Sequence, residues 1–316
     1  MRSKYIIAVM LLLILFSCTK SESEALELKS PFIGGNTGLA IAFQGLRKDV
    51  FDGGRDPFDV LIRLENKGET AVKKEDVSLK LSGINPAEFS KLEEQLVKNP
   101  DDDILESRLD PAGQVLLAPP SIVEFTGLNH FAPITGASAN FPLRAEVCYV
   151  YTTKAVSKVC VRSNLLNPPE EGICAINEAK PVFNSGAPIQ IENVQESARA
   201  KDKIGFSFEI KHAGTGQLFE KKTKCDRTQR KNENRAYIVV DSKMSGVTCT
   251  GLTSSGTKAE GFVTLFDGVK LVTCTQPITT KSDYEQVISI EATYDYQEFS
   301  QTEITVKSSG ENQQTS

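Results

Sequence analysis

The stretch Leu143-Arg-Ala-Glu-Val-Cys-Tyr-Val-Tyr151 decides how this chain is read, because it occurs twice. Its counterpart is Ile288-Ser-Ile-Glu-Ala-Thr-Tyr-Asp-Tyr296, in which Tyr294 and Tyr296 fall on Tyr149 and Tyr151. Both segments alternate apolar and polar residues with the period of a strand buried on one face. Each runs on without a gap through what reads as a turn, Thr152-Thr153-Lys154 in the first copy. Each then enters a last strand, ending at Val161 and Val306.

The same spacing, roughly 146 residues, relates further segments in the same order. Phe58-Asp-Val-Leu-Ile-Arg-Leu-Glu-Asn-Lys-Gly68 matches Ile204-Gly-Phe-Ser-Phe-Glu-Ile-Lys-His-Ala-Gly214. Gly38-Leu-Ala-Ile-Ala-Phe43 and Gly186-Ala-Pro-Ile-Gln-Ile191 open the two copies. Val77–Leu81, Ala236–Val240 and Gly261–Leu265 add short runs rich in β-branched and aromatic residues, and Asp267-Gly268 is a strong hairpin turn. One helix is expected inside the first copy: Asn85 caps it, Pro86 takes its first turn, and Phe89, Leu92, Leu96 and Val97 form its apolar face up to Asn99-Pro100. The resulting expectation is an all-β chain of two tandem immunoglobulin-like β-sandwich domains, 31–163 and 174–307, with one short helix inserted in the first. A linker at 164–173, stiffened by Pro168 and Pro169, joins them, and a polar tail follows at 308–316.

The start of the chain places this architecture outside the cytoplasm. Arg2 and Lys4 precede an uncharged run, Tyr5–Phe16, of the size of a secretory apolar segment and too short to cross a bilayer as a helix. Leu15-Phe16-Ser17-Cys18 resembles the lipobox of exported lipoproteins. The expectation is a signal peptide at 1–17, a lipid on Cys18, and a polar tether at 18–30 that holds the protein at the cell surface.

Charge and cysteine content agree with export. The chain has 36 Lys and Arg against 41 Asp and Glu, and loss of residues 1–17 removes Arg2 and Lys4 but no acid. An acidic chain is a poor partner for nucleic acid. The basic run Lys221-Lys222-Thr223-Lys224 with Arg227, Arg230 and Lys231 reads as a solvated loop. With Cys18 set aside, Cys148, Cys160, Cys174, Cys225, Cys249 and Cys274 make an even set, as disulfides require. Cys148 and Cys160 are replaced together by Thr293 and Thr305, which points to a bond between them across the 152–154 turn. The other four allow three pairings, of which Cys249–Cys274 with Cys174–Cys225 is preferred.

The pattern at 58–68 and 204–214 resembles the early strands of CARDB-type and related immunoglobulin-like modules of archaeal and bacterial surface proteins. The Glu146–Tyr151 to Val159–Val161 stretch resembles archaeal exported proteins. The resemblance covers most of residues 38–307 and implies fold, surface location and roles in adhesion, assembly or envelope architecture, with no catalytic residue.

Chemistry finds little support in the residues. Neither histidine reads as a catalytic base: His212 replaces Asn66 at a turn, and His130 lies beside Phe131 in a Gly/Pro-rich loop with no evident partner. No C-x-x-C pair, phosphate loop or nucleophile elbow occurs. Asp101-Asp102-Asp103, and Asp52 and Asp56 with Asp59, are the acidic groups that could meet calcium, but they lack the spacing of a calcium loop. No enzyme, cofactor or metal is therefore expected. The expected function is a binding, adhesion or envelope-structural module with a membrane anchor and a protein or surface-polymer partner. An accessory subunit of a membrane assembly, or a hydrolase using carboxylates, are the alternatives.

Overall fold

Alternation becomes strand along almost the whole chain in the computed structural model, which describes residues 29–165 and 173–310. The signal segment, Cys18 and its lipid, nearly all of the tether, most of the linker and residues 311–316 lie outside the described residues. The strands of the first half are β1 (Leu39–Gln44), β2 (Asp49–Phe51), β3 (Phe58–Asn66), β4 (Val77–Ser82), β5 (Val97–Lys98), β6 (Arg108–Leu109), β7 (Val115–Leu116), β8 (Ser121–Leu128) and β9 (Ser138–Val161). Those of the second are β10 (Val182–Asn184), β11 (Ile189–Ala200), β12 (Lys203–His212), β13 (Gln217–Phe219), β14 (Arg235–Asp241), β15 (Thr248–Cys249), β16 (Thr253–Ser255), β17 (Lys258–Thr264), β18 (Val269–Pro277) and β19 (Tyr284–Lys307).

The all-β class holds, and the packing is sandwich-like. A ten-stranded sheet carries β16-β17-β14-β19-β9-β4-β5 in order, with β2, β10 and β13 added to its two longest strands. A sheet β1-β3-β8 accompanies the first copy and β11-β12-β18-β15 the second. The side chains that strand alternation turns inward form one apolar core, which includes Val60, Ile62 and Leu64 of β3 and Phe206, Phe208 and Ile210 of β12.

The expected closing hairpins are absent. β9 and β19 are single strands of 24 residues, and they pair antiparallel over their whole length, from Ser138 opposite Lys307 to Val161 opposite Tyr284. Thr152-Thr153-Lys154 is mid-strand because it contains no residue that favours a positive φ and because alternation continues through it. Thr153, Ala155, Ser157 and Val159 are buried in turn. The pairing respects the repeat: Tyr149 faces Tyr296 and Tyr151 faces Tyr294, with Val150 and Asp295 at the centre. The two copies are thus related by a pseudo-two-fold axis, and each long strand continues into the other copy. The end of β9 pairs with β10, and the end of β19 pairs in parallel with β2. The described residues from Pro31 onward group into one unit as a consequence.

The expected helix is two separate 3-10 turns, Pro86–Phe89 and Glu93–Leu96. Asn85 caps the first as its side chain suggests, accepting from the Ala87 amide at 3.2 Å. Ser90 then turns left-handed (φ 56°), which ends the helix after one turn, and Phe89 and Leu96 bury separately.

Candidate functional site

Four tyrosines meet at the junction of the copies. Tyr149, Tyr151, Tyr294 and Tyr296 are fully buried, and their rings stack edge to face at 5.7–6.1 Å. A buried hydroxyl needs partners, and the pseudo-symmetry supplies the same ones twice. The Leu39 amide donates to Tyr149 at 3.1 Å, and the Ile189 amide to Tyr294 at 3.2 Å. Tyr151 bonds Asn66, and Tyr296 bonds His212 at 2.9 Å, at the matched turn position. The repeated glycines follow from this contact. A Cβ on Gly68 would stand 2.1 Å from the Tyr151 hydroxyl, and one on Gly214 2.4 Å from that of Tyr296. Burial raises the ionisation of Tyr294 and Tyr296 well above the ordinary value, so these rings serve as neutral hydrogen-bonding groups.

A cleft of about 440 Å³ opens beside this junction, lined by Glu75, Asp76, Ser78, Cys148, Lys222 and Lys224. Asp295 lies at its base, 1 % exposed, and accepts from the amides of Lys222 at 2.8 Å and Lys224 at 2.7 Å. Burial pushes its carboxyl up, against the pull of these amides. Lys222, Lys224 and Cys225 all adopt positive φ to wrap it, so the basic loop is a clasp on the junction as well as a solvated segment. Lys221 lies over the Tyr237 ring at 3.2 Å.

The disulfides follow the same geometry. Cys148 pairs with Cys225, Cys160 with Cys174, and Cys249 with Cys274. The expected Cys148–Cys160 bond is corrected: with no hairpin between them, these residues sit far apart along one extended strand. The Cys174–Cys225 pairing falls with it, whereas Cys249–Cys274 joins neighbouring strands β15 and β18 as expected. Cys148 and Cys160, whose counterparts in the second copy are Thr293 and Thr305, thus bond different partners. Three such bonds point to an oxidising, extracytoplasmic compartment.

The other singled-out residues have structural partners. His130 is buried between Phe89 and Phe141, and its Nδ1 has no hydrogen-bond partner. His212 is pushed below the ordinary value by burial. Asp52 accepts from the Ile134 and Ser309 amides, Asp56 pairs with Arg47 at 2.9 Å, and Asp59 accepts from Gly127. Burial raises Asp52, but the amides outweigh it and hold the carboxyl below its usual range. Asp103 accepts from the Lys74 amide, and Asp102 and Asp101 stand exposed beside it. The structure brings none of these acids together, and among the described residues no group of three or more His, Cys, Asp or Glu is placed to hold a metal.

Residue reading alone missed Asp295, Glu196 and Glu298. Glu196 is buried and accepts from the Cys160 amide with both oxygens, with Lys180 at 3.1 Å. Glu298 accepts from the Tyr149 hydroxyl at 3.2 Å. It edges a second opening, a groove of about 280 Å³ between β1 and β19, with Leu39, Ile41, Thr215 and Phe299. Only Glu298 carried a signal in the sequence, as an acid in the apolar register of Ile290, Ala292, Tyr294 and Tyr296, whereas Asp295 falls in the polar register of its strand. In comparisons with protein-family models and with curated proteins, the chain matches none.

Proposed function

We propose that the chain is a cell-surface module, lipid-anchored through Cys18, that acts in binding, adhesion or envelope architecture. In this reading its two copies are immunoglobulin-like sandwiches fused into one stiff body. The observation that carries it is the uninterrupted β9–β19 ladder, locked across the copies by Cys148–Cys225. Such a body keeps its surfaces in fixed relation, which suits presentation to a partner. The buried carboxylates support it too, since Asp52, Glu196 and Asp295 are spent on backbone amides of this chain.

Crosslinking on intact cells, followed by identification of the partner, tests the reading. A reproducible partner joined through exposed strand residues is expected. A chain recovered only as itself, with an unmodified Cys18 by mass spectrometry, would overturn it.

A further inference from the structure

We propose that the groove between β1 and β19 receives one extended segment of a partner protein, which joins the ten-stranded sheet antiparallel to β19 at Phe299–Gln301. The inference rests on the binding-module reading and gives that module a site.

The pseudo-two-fold axis supplies the template. With Tyr149 and Tyr151 matched to Tyr294 and Tyr296, Lys154–Ser157 of β9 correspond to Phe299–Thr302 of β19. In the second copy the outer edge of β9 is filled. β10 sets Asn184 opposite Ala155, Phe183 opposite Val156 and Val182 opposite Ser157. The Ser185 amide donates to the Lys154 carbonyl, and the Asn184 side chain bonds both the amide and the carbonyl of Ile191 at 2.8 Å.

In the first copy that place is open. β13 covers Asp295–Gln297 and β2 covers Thr305–Lys307, and among the described residues no strand pairs with this side of β19 between them. The Thr305 amide donates away from β9, to the Lys48 carbonyl. Alternate residues of an antiparallel strand direct both backbone groups to the same side, so Phe299, Gln301 and Glu303 also face outward. The ladder pairings of Leu39 with Asn66 and of Ile189 with His212 match Ile41 to Ile191, two residues off the match of Gly38 with Gly186 expected from sequence. Burial records the missing strand. Ala155 and Ser157 are 1 % and 4 % exposed and Ile191 0 %, whereas their counterparts Ser300, Thr302 and Ile41 are half-buried. Phe299 stands 57 % exposed at the lip.

The occupant is a single segment because the gap, Glu298–Ile304, spans about 23 Å between two flanking strands. The edge of a second folded sheet would strike β13 and β2. The described part of this chain does not provide it: the stretch that corresponds to β10 is held elsewhere, with the Ile33 and Gly34 amides on the Glu69 carboxylate at 2.9 and 3.0 Å. The fitting chemistry is that of Phe183-Asn184-Ser185, an apolar residue followed by small polar ones in extended conformation.

The test titrates a capped peptide of the chain's own sequence 181–186, Pro-Val-Phe-Asn-Ser-Gly, into the full chain and follows amide exchange. Saturable slowing at Phe299, Gln301 and Glu303 by about tenfold or more is expected. Gln301→Pro removes an amide that bonds nothing in the fold, so it should abolish the protection and leave the thermal midpoint unchanged. Ile41→Lys, on the facing wall, should do the same if the proline variant fails to fold. Leu271→Ala, exposed on another surface, should change nothing. No protection at millimolar peptide, or protection that survives both variants, overturns the proposal. If a cell-surface partner is then still captured through other residues, the groove alone falls; if none is captured, the module reading falls with it.

Discussion

Replacing both Cys148 and Cys225 by serine removes the one covalent link that closes over the junction. The bond spans 77 residues, against 25 for Cys249–Cys274 and 14 for Cys160–Cys174. Loop-closure entropy in the unfolded chain gives about 4.5 kcal/mol for the first, about 3.5 for the second and about 3 for the third. The first is trimmed by only about 0.2 kcal/mol because the Cys160–Cys174 loop lies inside it. The clasp on Asp295 adds to the loss, since the amides of Lys222 and Lys224 are held in place by the bonded Cys225. Guanidinium unfolding of the three double-serine variants, followed by far-ultraviolet circular dichroism, should rank their losses in the order of loop length. A Cys148/Cys225 variant that loses less than the Cys160/Cys174 variant would refute the reasoning, as would a non-reduced peptide map with Cys148 bonded elsewhere.

Gly68→Ala should lower stability at the upper end of about 1–3 kcal/mol, because the added methyl meets the Tyr151 hydroxyl and the Gly186 carbonyl at 2.1 and 2.2 Å; a thermal melt reads the loss directly. Glu298 is pushed above its ordinary value of 4.5 by burial, so its ionisation opposes folding and stability falls as pH rises through and above that value. Glu298→Gln should therefore raise the melting temperature at neutral pH, with the gain closing as pH falls below the usual carboxylate range. Asp52 has the opposite sign, since its carboxyl is held low and its stabilisation is present above 3.8 and lost at lower pH. Asp52→Asn should cost about 1–3 kcal/mol at neutral pH, and the cost should shrink in strong acid, measured by denaturation at both pH values.

The repeat and the strand class were legible because Phe58–Asn66 and Lys203–His212 carry plain alternation that any half-buried strand must show. The crossing of β9 and β19 was hidden by composition. The first buried positions beyond Tyr151 are Thr153, Ala155 and Ser157, small or polar because strands of the other copy cover them, and such residues resemble a turn. The cysteine pairs were hidden for the same reason: a wrong hairpin sets Cys148 against Cys160. The helix signals at Asn85 and Pro86 were sound at the start of the element, but nothing in them marks Ser90 as its end. The open edge at Gln301 is a property of a missing neighbour, and only the occupied counterpart at Val156 makes it visible.

The ladder that fuses the copies can be tested by one engineered pair. Thr152 and Thr293 lie opposite one another with hydroxyls 3.1 Å apart, close to the pseudo-two-fold centre at Val150 and Asp295. A chain carrying both Thr152→Cys and Thr293→Cys should form a disulfide between these two positions on oxidative folding, found as a single linked peptide by non-reducing mass spectrometry. Two separate sandwiches closed by their own hairpins would keep these positions apart, and recovery of both as alkylated free thiols would contradict the account.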